Sequence, residues 1–428
     1  MSKTLIRNAR ILDPASDTDD IGDLLIDGGK IEAVGTNFQA ANSTDILDAD
    51  GLCVAPGLID LHVKTGEPGE EHRETLSTAS RAAVAGGITS MAIMPNANHV
   101  IDDVARVEFI ARRGALEGKN RIYPVGALTR GLEGDAMAEL GLMQEAGALY
   151  CSNGETSLAD AGTMKRILSY AKDHNVTVSV RPNDPALSGS GVMNAGPLAA
   201  KMGLSGIPNE AELIPAQRDT WLANSIGARL LFDQVSTPQV LAHLSQSRER
   251  GSELDVHCTV AAHTLFFDEE EIGDYRTHCK VSPPFQTRSE RDFLRQCAEK
   301  GQISAVVSGH DPQPAEEKRL PFQEASFGAV GLETLLPAMV TMATDGAFSL
   351  LQAIRLVTSG PADLFDLPQG RLMAGAPADI VLFDAQKTWK CRSDDLISRS
   401  TNSPFDGHDL KGKVIKTMVA GQWVFEAN

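Results

Sequence analysis

The sequence predicts an α/β fold: a (β/α)8 TIM barrel with a small composite β-sandwich assembled from both termini. Three observations predict it. The chain has 428 residues, enough for a large core and more than one domain. Its middle alternates eight short apolar runs with long amphipathic stretches, the pattern of a parallel sheet covered by helices. Both ends instead carry short alternating strands with Gly/Asp turns and little helical pattern.

The strand candidates are, in order, GLIDLHVK (57–64), SMAIMP (90–95), RIYPVGA (121–127), GALYCSN (147–153), VTVSVRP (176–182), ARLLFDQ (228–234), LDVHCTV (254–260) and ISAVVSG (303–309). Helical patterns follow most of them. DAGTMKRILSYAKDHN starts on an Asp and ends in a basic turn, whereas STPQVLAHLSQSRERG starts on Ser/Thr and stops at Gly251. Eight such units favour a closed barrel. An open doubly wound sheet stays open as the alternative, because a strand count from one sequence can be off by one or two. KTLIRNARIL, GDLLIDGGKIEAVG, ADIVLFDAQKTW and GKVIKTMVAGQWVFE supply the end strands. The economical arrangement packs residues 1–55 and 372–428 into one β-sandwich, with the barrel, 56–371, inserted between them.

Composition removes several function classes. The formal net charge of −18 argues against a nucleic-acid or anionic-membrane surface, since both need clustered positive charge. No apolar run is long enough for a membrane span, and the start lacks a signal-peptide core. The six cysteines form no CxxC pair and read as reduced, buried thiols of a cytoplasmic protein.

Barrels of this type do chemistry at the C-terminal ends of their strands. Strand one ends His62-Val63-Lys64, strand four Ser152-Asn153, strand five Arg181-Pro182, strand six Asp233-Gln234, and strand eight Ser308-Gly309-His310-Asp311. His62 and Lys64 lie two apart and so share a strand face. A zinc site needs three or four His, Cys or carboxylate ligands converging on one point. Two histidines, an amide, a lysine and an arginine do not make one.

Several motifs carry a resemblance along essentially the whole chain: APGLIDLHVKTGEPGEEHRETL, AAVAGGITSMAIMPNAN, GSGVMNAGPLAAKMGLSGIPNEAE, KVSPPFQTRSERDFL, FQEASFGAVGLETLLP and SPFDGHDLKGKVIKTMVAGQWVF. Together they resemble the dihydroorotases, within the cyclic amidohydrolases. The stretches from Val192 to Pro208 and from Gly331 to Thr334 point to dihydroorotase ahead of hydantoinase or allantoinase. The resemblance implies a fold of the amidohydrolase type and, in an active member, ring hydrolysis or closure by zinc-bound hydroxide.

Carried over position by position, the family's ligand set is degenerate here. His62 is kept. The second histidine of the His-x-His falls on Lys64, the strand-four carboxylate on Asn153, the strand-five histidine on Arg181, the strand-six histidine on Gln234, and the strand-eight aspartate on Gly309. Among substrate-binding positions an expected arginine is Gly66 and an expected asparagine is Ser282, whereas Asn96 stays as the family has it. Lys64 and Arg181 bring positive charge, and Asn153 and Gly309 withdraw the carboxylates that would balance zinc. The expectation is therefore no metal, no cofactor and no catalytic residues.

Blander readings apply to the individual groups. His62 reads as a hydrogen-bonded histidine of the barrel mouth. Lys64 is expected to pair with Glu67, Asp233 or Asp311 in preference to forming a Schiff base. Arg181 reads as a structural ion pair ahead of a carboxylate or phosphate clamp. His310 and Asp311, adjacent on a strand end, should point apart. His257, His263 and His278 read as core or surface residues, and Cys151 as an inert buried thiol.

Two functions stay open. One is a catalytically inactive dihydroorotase-like protein of pyrimidine biosynthesis. Such family members accompany aspartate carbamoyltransferase in some bacteria, which implies that transferase as the partner and a homo-oligomeric chain. The other is an active dihydroorotase, or another cyclic amidohydrolase, with an atypical site.

Overall fold

A computed structural model describes residues 3–39, 44–249 and 254–427. The predicted barrel strands appear as Leu58–Val63, Ile88–Ile93, Arg121–Pro124 continued by Gly126–Ala127, Cys151–Ser152, Val178–Val180, Leu230–Phe232, Val256–Ala261 and Ala305–Val307. Neighbours pair in parallel. The ring closes where Val63 bridges His310 and the Lys64 amide donates to the His310 carbonyl at 2.9 Å. The sheet is thus closed, which decides against the open doubly wound alternative.

The strands read as apolar runs because each is buried on two faces, and their alternation is visible in the packing. Leu230 and Phe232 face the helices, whereas Leu231 between them joins Ile59, Leu61, Ala305 and Val307 inside the barrel. Ala362, Leu364 and Leu367 belong to the same inner cluster and plug the end away from the strand C-termini. The opposite end is left for polar groups.

The helices start where the sequence signals them. Asp160 caps the helix Ala161–Asp173 by accepting from the Thr163 amide at 2.6 Å, and Thr287 caps Arg288–Glu299 in a reciprocal box with Glu290. Helix Pro238–Glu249 follows Ser236 and Thr237 as expected, although its Gly251 stop lies outside the described residues. Among the described residues no helix is long and apolar enough to cross a membrane.

Both chain ends meet in one eight-stranded sheet. Cys53–Pro56 is the seam: it runs parallel to Lys3–Asp13 and antiparallel to Ile380–Lys390. Ile31, near one edge of the sheet, and Met418, near the other, share one apolar cluster, so the sheet folds over a core of its own. Leu372 and Ala376 already belong to that cluster.

Candidate functional site

The polar end of the barrel gathers the strand ends singled out above. His62 is 1 % exposed and its Nδ1 lies 2.7 Å from Asp233 Oδ2. Asp233 is held in turn by Thr259 Oγ1, which donates to Oδ1 at 2.9 Å. Burial pushes the Asp233 carboxyl up, but His62 and Arg181 outweigh it and leave its pKa below the ordinary value. The pair is a closed contact between strands one and six. Asp233 therefore serves His62 and not Lys64.

Lys64 points into the mouth. Its Nζ lies 2.9 Å from Asp311 Oδ2 and 3.1 Å from Glu155 Oε2. Of its three expected partners only Asp311 is found. Glu67 turns away to Arg113, at 2.7 Å. Arg181 reaches Glu155 Oε1 at 3.2 Å and Ser282 Oγ at 3.3 Å, and its second terminal nitrogen donates to Gln234 Oε1. Glu155 thus joins the two cations, one on each carboxylate oxygen. Burial raises its pKa and the two cations lower it further, so it lies well below the usual carboxylate range; about a third of the side chain still meets solvent. Burial lowers Lys64, but Asp311 and Glu155 raise it above the ordinary lysine value. Two cations face two carboxylates, and the lattice is neutral.

The remaining degenerate positions are occupied by structure. Asn153 is fully buried and uses both ends of its amide: Oδ1 accepts from Thr129 Oγ1 at 2.7 Å, and Nδ2 donates to the carbonyls of Leu132 and Thr156. It ties the loops after strands three and four together instead of facing a ligand. Gly309 has φ of +63°, and a Cβ there would sit 2.7 Å from His263 Cε1. The imidazole of His263 fills the place of a strand-eight side chain. Burial and the Arg181 charge push its pKa down to about 3, so it is neutral. Gly66 is equally constrained, since a Cβ would strike the Glu70 carbonyl at 1.8 Å; no arginine fits in this loop as it is folded. Asn96 packs against Gly154, where a Cβ would lie 2.0 Å from its Oδ1, and that oxygen has no partner.

His310 and Asp311 do point apart. His310 Nδ1 accepts from the Gly331 amide and its Nε2 lies 3.7 Å from Glu74, whereas Asp311 turns to Lys64 and to Gln313 Nε2. His257 pairs with Asp255, and His278 is pushed down by burial. Cys151 is buried and its thiol is pushed up to about 12.

These residues do not fit a zinc centre. Among the described residues no three His, Cys, Asp or Glu side chains converge as a metal site. Of the carboxylates present, Glu155 and Asp311 are spent on fixed cations and Asp233 on His62, and the guanidinium and ammonium groups repel a divalent ion. What remains is a mouth cavity of about 340 Å³ lined by Lys64, Arg73, Asn96, Glu155 and Asp311. The sequence reading missed Glu155. Its only signal was an acidic residue two positions past Asn153 in CSNGETSL.

The chain matches a family model described as Dihydro-orotase-like over residues 51–239, and one described as Amidohydrolase family over residues 236–424. It is 39% identical over 420 residues to a dihydroorotase of Syntrophotalea carbinolica, covering 98% of each chain. It is 37% identical over 421 residues to a dihydroorotase-like protein of Pseudomonas aeruginosa, covering 98% of this chain and 99% of that one. Among solved structures, an L-hydantoinase (dihydropyrimidinase) from Arthrobacter aurescens superposes with a TM-score of 0.89 at 25% identity, covering 100% of this chain and 96% of that one. A dihydropyrimidinase from Brevibacillus agri, at 23% identity and a TM-score of 0.85 over 99% of this chain and 95% of that one, shares the fold. A barrel with a β-rich second unit, matched along its length at this identity, places the chain in the dihydroorotase family of the amidohydrolases.

Proposed function

We propose that this chain is a non-catalytic dihydroorotase homologue of pyrimidine biosynthesis that serves as a structural companion of aspartate carbamoyltransferase. The observation that carries the first half is the lattice Lys64–Glu155–Arg181 with Asp311, standing where the family's chemistry needs metal ligands. Ring hydrolysis by the family's route requires a metal to lower the pKa of a water and a carboxylate to take its proton. Here the strand-eight position is a glycine and the nearest carboxylates neutralise side-chain cations.

In a working hydrolase with an atypical site the His62–Asp233 pair would be one candidate base. Both residues are almost fully buried, at 1 % and 3 % exposed, so a substrate water has little access to them. The partner rests on family likeness and on full-length retention of a two-part fold after loss of the ligand set.

The test is a paired assay. Dihydroorotate formation and hydrolysis should stay at background in chain purified from a host lacking its own dihydroorotase. Co-expressed aspartate carbamoyltransferase should elute with the chain as one complex. A rate comparable with a working dihydroorotase refutes the first half, and separate elution at micromolar concentration with full transferase activity refutes the second.

A further inference from the structure

The terminal sheet is pinned to the barrel at two points. The Lys411 amide donates to Thr341 Oγ1 at 2.8 Å, and Thr417 Oγ1 donates to the Val84 carbonyl at 2.7 Å. Gly412 lets strand Asp409–Val419 close on helix Leu335–Thr344, since a Cβ there would lie 2.8 Å from Val340 Cβ. Beside these contacts a cavity of about 520 Å³ stays open between the two parts. Pro337 lines it from the barrel, and Val414 and Phe425 line it from the sheet.

Two opposite charges line this cavity without meeting. Glu333, just before the helix, uses Oε1 to accept from the Ile397 and Ser398 amides at 2.7 and 3.0 Å. Among the described residues its Oε2 has no hydrogen-bond partner, and it still meets solvent. Lys413 Nζ stands 4.3 Å from the centre of the Trp389 ring, with no carboxylate of the described residues at ion-pair distance. The buried indole N–H of Trp389 is also without a partner. Burial raises the Glu333 carboxyl to about 7, against the pull of the two amides and of Lys413. Of the other charges, Glu426 is taken by Lys416 at 2.7 Å, and exposed Lys390 and Asp395 add one of each sign. A carboxyl held this high is short of a cation, and a lysine on an aromatic face is short of an anion. A ligand of one sign would satisfy one group and burden the other. A ligand with both signs on neighbouring atoms and an apolar tail satisfies both through charge-assisted hydrogen bonds.

We propose that this cavity binds a free α-amino acid with an apolar side chain, its ammonium on Glu333 Oε2, its carboxylate on Lys413 Nζ and its side chain against Pro337, Val414 and Phe425. The cavity shares no lining residue with the barrel mouth, so neither zinc content nor dihydroorotate turnover bears on the reading.

Equilibrium dialysis of the full chain with L-leucine as the probe should show one saturable site per chain at millimolar concentration or below. Isocaproate, which lacks the ammonium, and isoamylamine, which lacks the carboxylate, should each bind about tenfold more weakly or worse. Lys413→Met should weaken L-leucine binding about tenfold and leave the thermal melt of the free chain in place. Glu333→Gln should act likewise, and its amide oxygen can still accept from the Ile397 and Ser398 amides, so the loop stays anchored. Lys165→Met, on the exposed face of helix Ala161–Asp173, is the control that should bind as wild type does. No saturable L-leucine binding at millimolar concentration, isocaproate or isoamylamine bound as tightly as L-leucine, or full affinity in either cavity variant would each overturn the inference.

Discussion

Glu155 holds Lys64 on one carboxylate oxygen and Arg181 on the other, at 3.1 and 3.2 Å, and so ties the ends of strands one and five to the loop after strand four. In a metal-dependent barrel these strand ends are drawn together by the ion. Here a single glutamate does that with two side-chain cations, and Asp311 completes the neutrality from strand eight.

Breaking the lattice on one side should cost more than dissolving a surface pair, because a buried charge is left alone. Glu155→Gln, which leaves the 6% exposed Arg181 guanidinium without its carboxylate, should destabilise by about 3 kcal/mol. Arg181→Met should cost less, about 1–2 kcal/mol, since Glu155 keeps Lys64 and part of it already meets water. Urea unfolding of the two variants beside wild type measures both. Equal, near-zero costs would mean that the lattice carries no stability.

The same groups set an acid limb. Glu155 and Asp233 have folded-state pKa values below their unfolded ones, so the unfolded chain takes up protons first as pH falls. The stability they contribute is complete above about pH 5, begins to fall near the unfolded values of about 4, and is lost as pH drops through the depressed ones. Lys64 acts in the opposite sense: its raised pKa adds stability that is complete below about pH 10 and is lost above its folded value. Thermal melts from pH 3 to 7 should drop less steeply for Glu155→Gln than for wild type; parallel curves would remove Glu155 from the account.

How much of this was legible beforehand varies by residue. The barrel was readable because eight two-sided buried strands leave eight apolar runs, and the terminal strands because stretches such as KTLIRNARIL and ADIVLFDAQKTW sit between Gly/Asp turns. The seam that joins them, Cys53–Pro56, is four buried residues without alternation and does not read as a strand. The residue types at the strand ends, on which the expected loss of the ligand set rests, are read directly from the sequence. The new pairing is not. Glu155 lies in an irregular loop, where no periodicity says which way a side chain turns, and Asp233 could have served Lys64 as well as His62 on sequence alone. The reason for Gly309 also needed coordinates, since only packing reveals His263 behind it.

That packing makes a prediction of its own. Gly309→Asp would restore the family's strand-eight carboxylate in type, yet it needs a left-handed backbone and a Cβ 2.7 Å from the His263 ring. The variant should lose about 2 kcal/mol or more, from the backbone conformation and the displaced imidazole. Differential scanning calorimetry would register it; an unchanged melting temperature would mean that the site accommodates a side chain freely.

Restoring one ligand should not restore activity. Lys64→His recreates the His-x-His in sequence but leaves Asn153, Arg181, Gln234 and Gly309 as they are, and it strips Asp311 of its cation. Groups that act as a unit do not return their effect singly. The variant should stay at the background rate for dihydroorotate turnover and be less stable than wild type. A single substitution that yields a measurable zinc-dependent rate would show that the centre is one residue from function.

Under the proposed function, side-chain ion pairs stand in place of the metal. Elemental analysis of chain purified without chelator, followed by equilibrium dialysis against micromolar zinc, tests it most directly. Less than about a tenth of a zinc ion per chain is expected in both steps, with no change in melting temperature on adding zinc. One or more tightly held ions per chain, with a raised melting temperature, would contradict it.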